Sequence, residues 1–158
     1  MFHTSVYVEN KYEYQVLNEE ANKYDHFQID ASEFPHTIWI ALSRTGRHSD
    51  EKWEIIIGGL GGTKSVIRPD GLDHLVKDHS VADFNNIKGN IEVLVVDGAL
   101  IIKGDGQTFM QYDDNSIKKN ELKYLMVSGG WVPGAFGTYR VWGFKNEGEF
   151  IFADLIIQ

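Results

Sequence analysis

The stretch Ile91-Glu92-Val93-Leu94-Val95-Val96-Asp97-Gly98-Ala99-Leu100-Ile101-Ile102-Lys103 decides the fold. Two apolar runs of strand length flank Asp-Gly, the dipeptide that favours a two-residue hairpin turn. Valine and isoleucine are stiff at χ1 and fit a pleated strand better than a helix. The stretch reads as an antiparallel hairpin. Gly104-Asp105-Gly106 then turns the chain into a third run, Thr108-Phe109-Met110-Gln111-Tyr112.

Outward from this hairpin the same period of two recurs. Ser5-Val6-Tyr7-Val8, Tyr12-Glu13-Tyr14-Gln15-Val16, Phe27-Gln28-Ile29 and residues 37–42 alternate apolar with polar. Such alternation sets one side of a strand on a core and the other toward water. Trp53-Glu54-Ile55-Ile56-Ile57 reads as a more deeply buried strand, and Lys64-Ser65-Val66-Ile67-Arg68 as another, ended by the turn Pro69-Asp70-Gly71. Residues 122–128, 138–144 and 150–157 complete the strands, and only residues 83–88 look weakly helical. The pattern predicts an all-β protein: an antiparallel β-sandwich, jelly-roll-like, forming a single domain over residues 1–158. A closed barrel is the alternative with the same pattern. Long parallel strands with intervening helices are absent, which removes Rossmann and TIM architectures.

Composition narrows the function. Fifteen Lys and Arg against twenty-three Asp and Glu leave a net charge of −8. That balance opposes nucleic-acid binding, which needs clustered cations to displace counterions. The absence of cysteine excludes disulfides, thiolate metal sites and a cysteine nucleophile. No run approaches the ~18 apolar residues of a membrane span, so no membrane insertion is expected. The N-terminus lacks the basic start and apolar run of a signal peptide.

Gly58-Gly59-Leu60-Gly61-Gly62-Thr63-Lys64-Ser65 invites a phosphate-loop reading. Thr63 stands where that motif needs glycine, and a strand follows Lys64-Ser65 where it needs a helix. A glycine turn between two strands fits better. The same lack of a βαβ unit argues against a dinucleotide or S-adenosylmethionine site, and no organic cofactor is expected.

Residues 53–68, from Trp53-Glu54-Ile55 through the glycine turn to Val66-Ile67-Arg68, resemble the signature of the farnesoic acid O-methyltransferase-like domain family. Gly104-Asp105-Gly106, Phe109-Met110-Gln111-Tyr112-Asp113 and Ser128-Gly129-Gly130-Trp131 follow in a similar order, so the resemblance covers about residues 25–144. The chain departs from the pattern at Leu60, usually Trp, and Gly62, usually Asn. Val132-Pro133-Gly134-Ala135 also intervenes before Phe136-Gly137. The resemblance implies a small β-rich recognition module of secreted or extracellular proteins, with carbohydrate binding among its roles. Methyl transfer, implied by the family name, finds no cofactor fold in these residues.

A sugar presents an apolar C–H face and a rim of hydroxyls, so its site wants an aromatic plane beside charged or amide groups. Trp131, in a glycine-rich loop, is the candidate platform. Trp39, Trp53 and Trp142 lie within strand patterns and are expected in the core. Arg47 and His48, in the polar loop 44–50, are candidate hydroxyl partners. Arg68 is a third; its structural alternative is an ion pair with Asp70 or another acid. Asp113, Asp114 and Asn115 form the best oxygen cluster for Ca²⁺, with an Asp-capped turn as the alternative. His74 and His79 flank Asp78 without zinc-site spacing. Carboxylate pairs are too numerous to single out a glycosidase site.

These readings converge on a non-enzymatic carbohydrate-binding protein, a lectin for galactose-type glycans, with Ca²⁺ assistance. An axial hydroxyl leaves one sugar face more apolar for stacking. A homodimer or larger homo-oligomer is expected, because linked weak sites raise avidity. The alternatives are a protein-interaction module without a small ligand, a methyltransferase or a glycosidase.

Overall fold

The Asp97-Gly98 hairpin forms as read: Val96 pairs with Ala99, and Gly98 takes φ 88°, a conformation glycine adopts without steric cost. At the next turn Asp105 (φ 53°) and Gly106 (φ 84°) are both left-handed, the requirement of a type I′ turn. These turns belong to a computed structural model that describes residues 2–9, 11–17, 24–33, 37–58, 64–69, 77–80, 87–130 and 137–144.

Twelve strands are described: β1 (Phe2–Val8), β2 (Gln15–Val16), β3 (His26–Glu33), β4 (Ile38–Ser43), β5 (Lys52–Gly58), β6 (Lys64–Pro69), β7 (Lys77–Ser80), β8 (Ile91–Val96), β9 (Ala99–Gly104), β10 (Gln107–Asp113), β11 (Tyr124–Ser128) and β12 (Gly137–Phe144). They form two six-stranded sheets, ordered β1-β12-β3-β8-β9-β10 and β2-β11-β4-β5-β6-β7, and every pairing is antiparallel. The protein is a β-sandwich of jelly-roll type, not a closed barrel. Among the described residues no helix is long and apolar enough to cross a membrane.

Alternation builds the core. Ile38, Ile40 and Leu42 of β4, Ile55 and Ile57 of β5, and Leu125 and Val127 of β11 point inward and are buried. They face Phe27, Ile29, Val93, Leu100 and Val141 of the other sheet. Burying each such side chain contributes roughly 1.5–3 kcal/mol. Tyr139 of β12, fully buried, ties the layers together. Its hydroxyl accepts the Trp39 N–H at 3.3 Å and donates to the Ser128 carbonyl at 3.4 Å.

Three details differ from the sequence expectation. Of residues 12–16, only Gln15–Val16 form ladder bonds, while 12–14 cross from one sheet to the other. A strand at Lys77–Ser80, in a stretch without alternation, pairs with β6. The three strand tryptophans are not core centres: Trp39 faces away from the inter-sheet core, Trp53 is half-buried against it, and Trp142 is half-buried and stacked on His3. The Pro69-Asp70-Gly71 turn beyond Pro69, residues 83–86 and residues 150–157 lie outside the described residues.

Candidate functional site

Period two on β5 has a second consequence. While Ile55 and Ile57 enter the core, Glu54 is sent to the opposite face, yet it is only 2 % exposed. A carboxylate buried this deeply needs donors. Arg68 supplies one: it is the register partner of Glu54 on β6, and its Nε lies 3.2 Å from Oε1. Tyr12 and Tyr14, from the crossing segment, each donate a hydroxyl to Oε2 at 2.8 Å. Burial, then the Glu54 charge, push the Tyr14 hydroxyl well above its ordinary value, so it stays a donor.

Loop 44–51 folds against the same cluster. The Tyr14 N–H donates to Nδ1 of His48 at 3.0 Å, and Tyr12 meets the His48 ring edge-on at 5.1 Å. Lys52 donates to the His48 carbonyl at 2.8 Å and holds its ammonium 5.6 Å from the Tyr14 ring centre. Trp39 closes the cluster beside Tyr12, and its indole packs against Gly130.

This scaffold shapes a cleft at the end of the sandwich where β4 finishes and β5 begins. It holds about 280 Å³ and is lined by Arg44, Glu51, Lys52, Trp53, Pro69, Ser116 and Leu122. Trp53 and Pro69 are register partners on adjacent strands, and Trp53 packs against Tyr112 at 5.4 Å. Glu51, Ser116 and Arg44 are exposed. Arg44 pairs with Glu121 at 2.8 Å, both side chains open to solvent, so the pair holds Arg44 only weakly. An indole and a proline ring thus stand beside a guanidinium, a carboxylate and a hydroxyl.

The sequence candidates fall around this arrangement in different ways. Arg68 and His48 meet at the Glu54 cluster, as supports for the crossing segment. The acid that pairs with Arg68 is Glu54. Arg47 is exposed in the same loop, its N–H bonded to Thr45 at 3.2 Å. Asp113 ends β10, and Asp114 and Asn115 follow it and lead directly into Ser116 of the cleft. Asp114 accepts the Ser116 N–H at 2.8 Å, and hydrogen bonds from Ser116 hold its carboxyl below the usual range. Among the described residues no three His, Cys, Asp or Glu side chains converge as a metal site. Trp131 lies outside the described residues, as does His74, and nothing of the His79 side chain is described. Sequence reasoning missed Tyr12, Tyr14, Glu54 and Trp53 because each sits in an ordinary strand pattern. The one available signal was Glu54 and Arg68 together at the two ends of a single motif.

A family model described as farnesoic acid O-methyl transferase matches residues 8–145. The chain belongs to this family. The matched span contains both partners of the Glu54–Arg68 pair. No curated protein matches the chain in a sequence comparison. Among solved structures, the chain is similar to a Ruminococcus gnavus IT-sialidase CBM40 bound to α2,6 sialyllactose. The TM-score is 0.52 at 12% identity, over 96% of this chain and 97% of that one. A Bacillus licheniformis β-glucanase matches with TM-score 0.50 at 12% identity, over 81% and 69%. A Caenorhabditis elegans galectin, LEC-6, matches with TM-score 0.48 at 12% identity, over 86% and 95%. The first two show a shared sandwich fold.

Proposed function

We propose that this family member is a carbohydrate-binding protein and that the end cleft is its saccharide site. One observation carries the reading: a cleft of about 280 Å³ sets the Trp53 and Pro69 rings beside Arg44, Glu51 and Ser116. The rings offer an apolar surface to a C–H face, and the polar groups offer donors and acceptors to a hydroxyl rim. The fold agrees in kind, since the CBM40 of similar fold holds a sialyllactose. The family description names methyl transfer; the cleft offers binding groups on a rigid scaffold, and we read it as a recognition site.

Finer features belong to the same proposal. A galactose-type sugar suits an indole platform, because its axial hydroxyl leaves one face more apolar. Calcium at Asp113, Asp114 and Asn115 would add to binding from the segment that leads into Ser116. Homodimerisation through the edge strand β10 would raise avidity. An extracellular setting supplies such glycans.

Thermal melting against a panel of monosaccharides tests the reading, since a ligand bound to the folded state raises Tm. A rise that disappears in the Arg44→Ala, Ser116→Ala double variant is expected. No rise with any sugar contradicts it. Millimolar Ca²⁺ should add a further rise that EDTA reverses, and its absence removes the metal from the reading.

A further inference from the structure

The crossing segment has two sides. Tyr12 and Tyr14 point to Glu54, while Lys11, Glu13 and Gln15, one residue out of phase, line a second cleft. This edge cleft also holds about 280 Å³, and Tyr7, Val8, Glu9 and Gly129 complete its walls. Tyr7 is 55 % exposed, the most exposed large aromatic among the described residues. Glu9 makes no ion pair among the described residues, and Lys11 and Glu13 form a solvent-open pair at 2.5 Å. The cleft thus sets an exposed phenol ring beside carboxylates, an amide and an ammonium, as the end cleft sets an indole beside charged and polar groups.

The two clefts lie at opposite ends of one sheet. Gly129 follows Ser128, the register partner of Trp39 near the start of β4, whereas Arg44 follows Ser43 at its other end. Five residues of extended chain separate these ends by roughly 17 Å. Glu54 braces both clefts. Its tyrosine partners fix the segment bearing Lys11, Glu13 and Gln15, and Tyr14 contacts His48 and Lys52 beside the end cleft.

We infer that a single chain is bivalent, with the edge cleft as a second saccharide site. This rests on the carbohydrate-binding reading of the end cleft. Cross-linking of glycans would then need no dimer, and two linked weak sites would gain about 10²–10⁴ in avidity on a multivalent surface.

The test is a ¹⁵N–¹H NMR titration of the full chain with galactose, N-acetylglucosamine and N-acetylneuraminic acid at millimolar concentration. Two saturating groups of shifts are expected with at least one sugar. One centres on the Trp53 indole N–H and Ser116, the other on Gly129 and the Gln15 amide. Tyr7→Ala, at an exposed position, should weaken the second group at least tenfold and leave the first unchanged. Shifts at one cleft alone overturn bivalency and keep carbohydrate binding. Shifts at neither overturn both.

Discussion

Glu54 and Arg68, fourteen residues apart in sequence, face each other across β5 and β6 and join Oε1 to Nε at 3.2 Å. The Glu54 side chain is 3% exposed and that of Arg68 25%. With the tyrosine hydroxyls on Oε2, the pair pins residues 12–14 to the outer face of the sheet. The stretch 53–68 that resembles the family signature thus holds a structural clamp; residues 59–63 of its glycine turn lie outside the described residues.

Removing Arg68 should cost more than an exposed ion pair would. Arg68→Ala leaves the Glu54 carboxylate buried with two neutral donors, and a loss of about 2–4 kcal/mol is expected. Glu54→Gln keeps the volume and one acceptor and should cost less. Urea denaturation of both variants checks the order; equal costs near zero would mean that the crossing segment is held by its rings alone.

Gly130→Ala tests the other close approach. A Cβ there would lie 2.2 Å from Nε1 of Trp39, and the residue has φ 74°. Steric overlap and left-handed strain act together, so a loss of about 2 kcal/mol or more and a shifted tryptophan emission are expected. Gly98→Ala, with open space around its Cβ at φ 88°, isolates the backbone contribution and should cost about 1 kcal/mol.

Acid sensitivity should pass partly through Glu92. A hydrogen bond from buried His26, at 2.9 Å, holds its carboxyl below the usual range. A carboxyl lowered in the folded state contributes stability above its unfolded value of about 4.3, and that stability is lost as pH falls through the lower folded value. Glu92→Gln should therefore flatten the stability profile below about pH 4.5 while lowering stability at neutral pH. Melting curves from pH 3 to 7 measure this; an unchanged acid limb would exclude the pair as a contributor.

Much of the fold was legible from local signals. The Asp97-Gly98 and Asp105-Gly106 turns and the alternation in β4 and β8 point to the same antiparallel layers, and agreement between levels makes a pattern readable. Lys77–Ser80 escaped because a polar strand at a sheet edge owes its place to ladder bonds with β6, with no apolar period to announce it. The site was less legible. Alternation tells which side of β5 Glu54 occupies, but covering of that side by Tyr12 and Tyr14 depends on a crossover between sheets, which has no local signature. Trp53 and Ser116 line one cleft only because the start of β5 and the turn after β10 reach the same end of the sandwich.

The most direct measurement is binding of the chain to a printed glycan array, compared with the Arg44→Ala, Ser116→Ala double variant. Arg44 and Ser116 are exposed, so the variant is expected to fold as the original does. The account predicts binding to a defined set of glycans by the original chain and at least tenfold weaker binding by the variant. A blank array with the original chain, or equal binding by both, would contradict it.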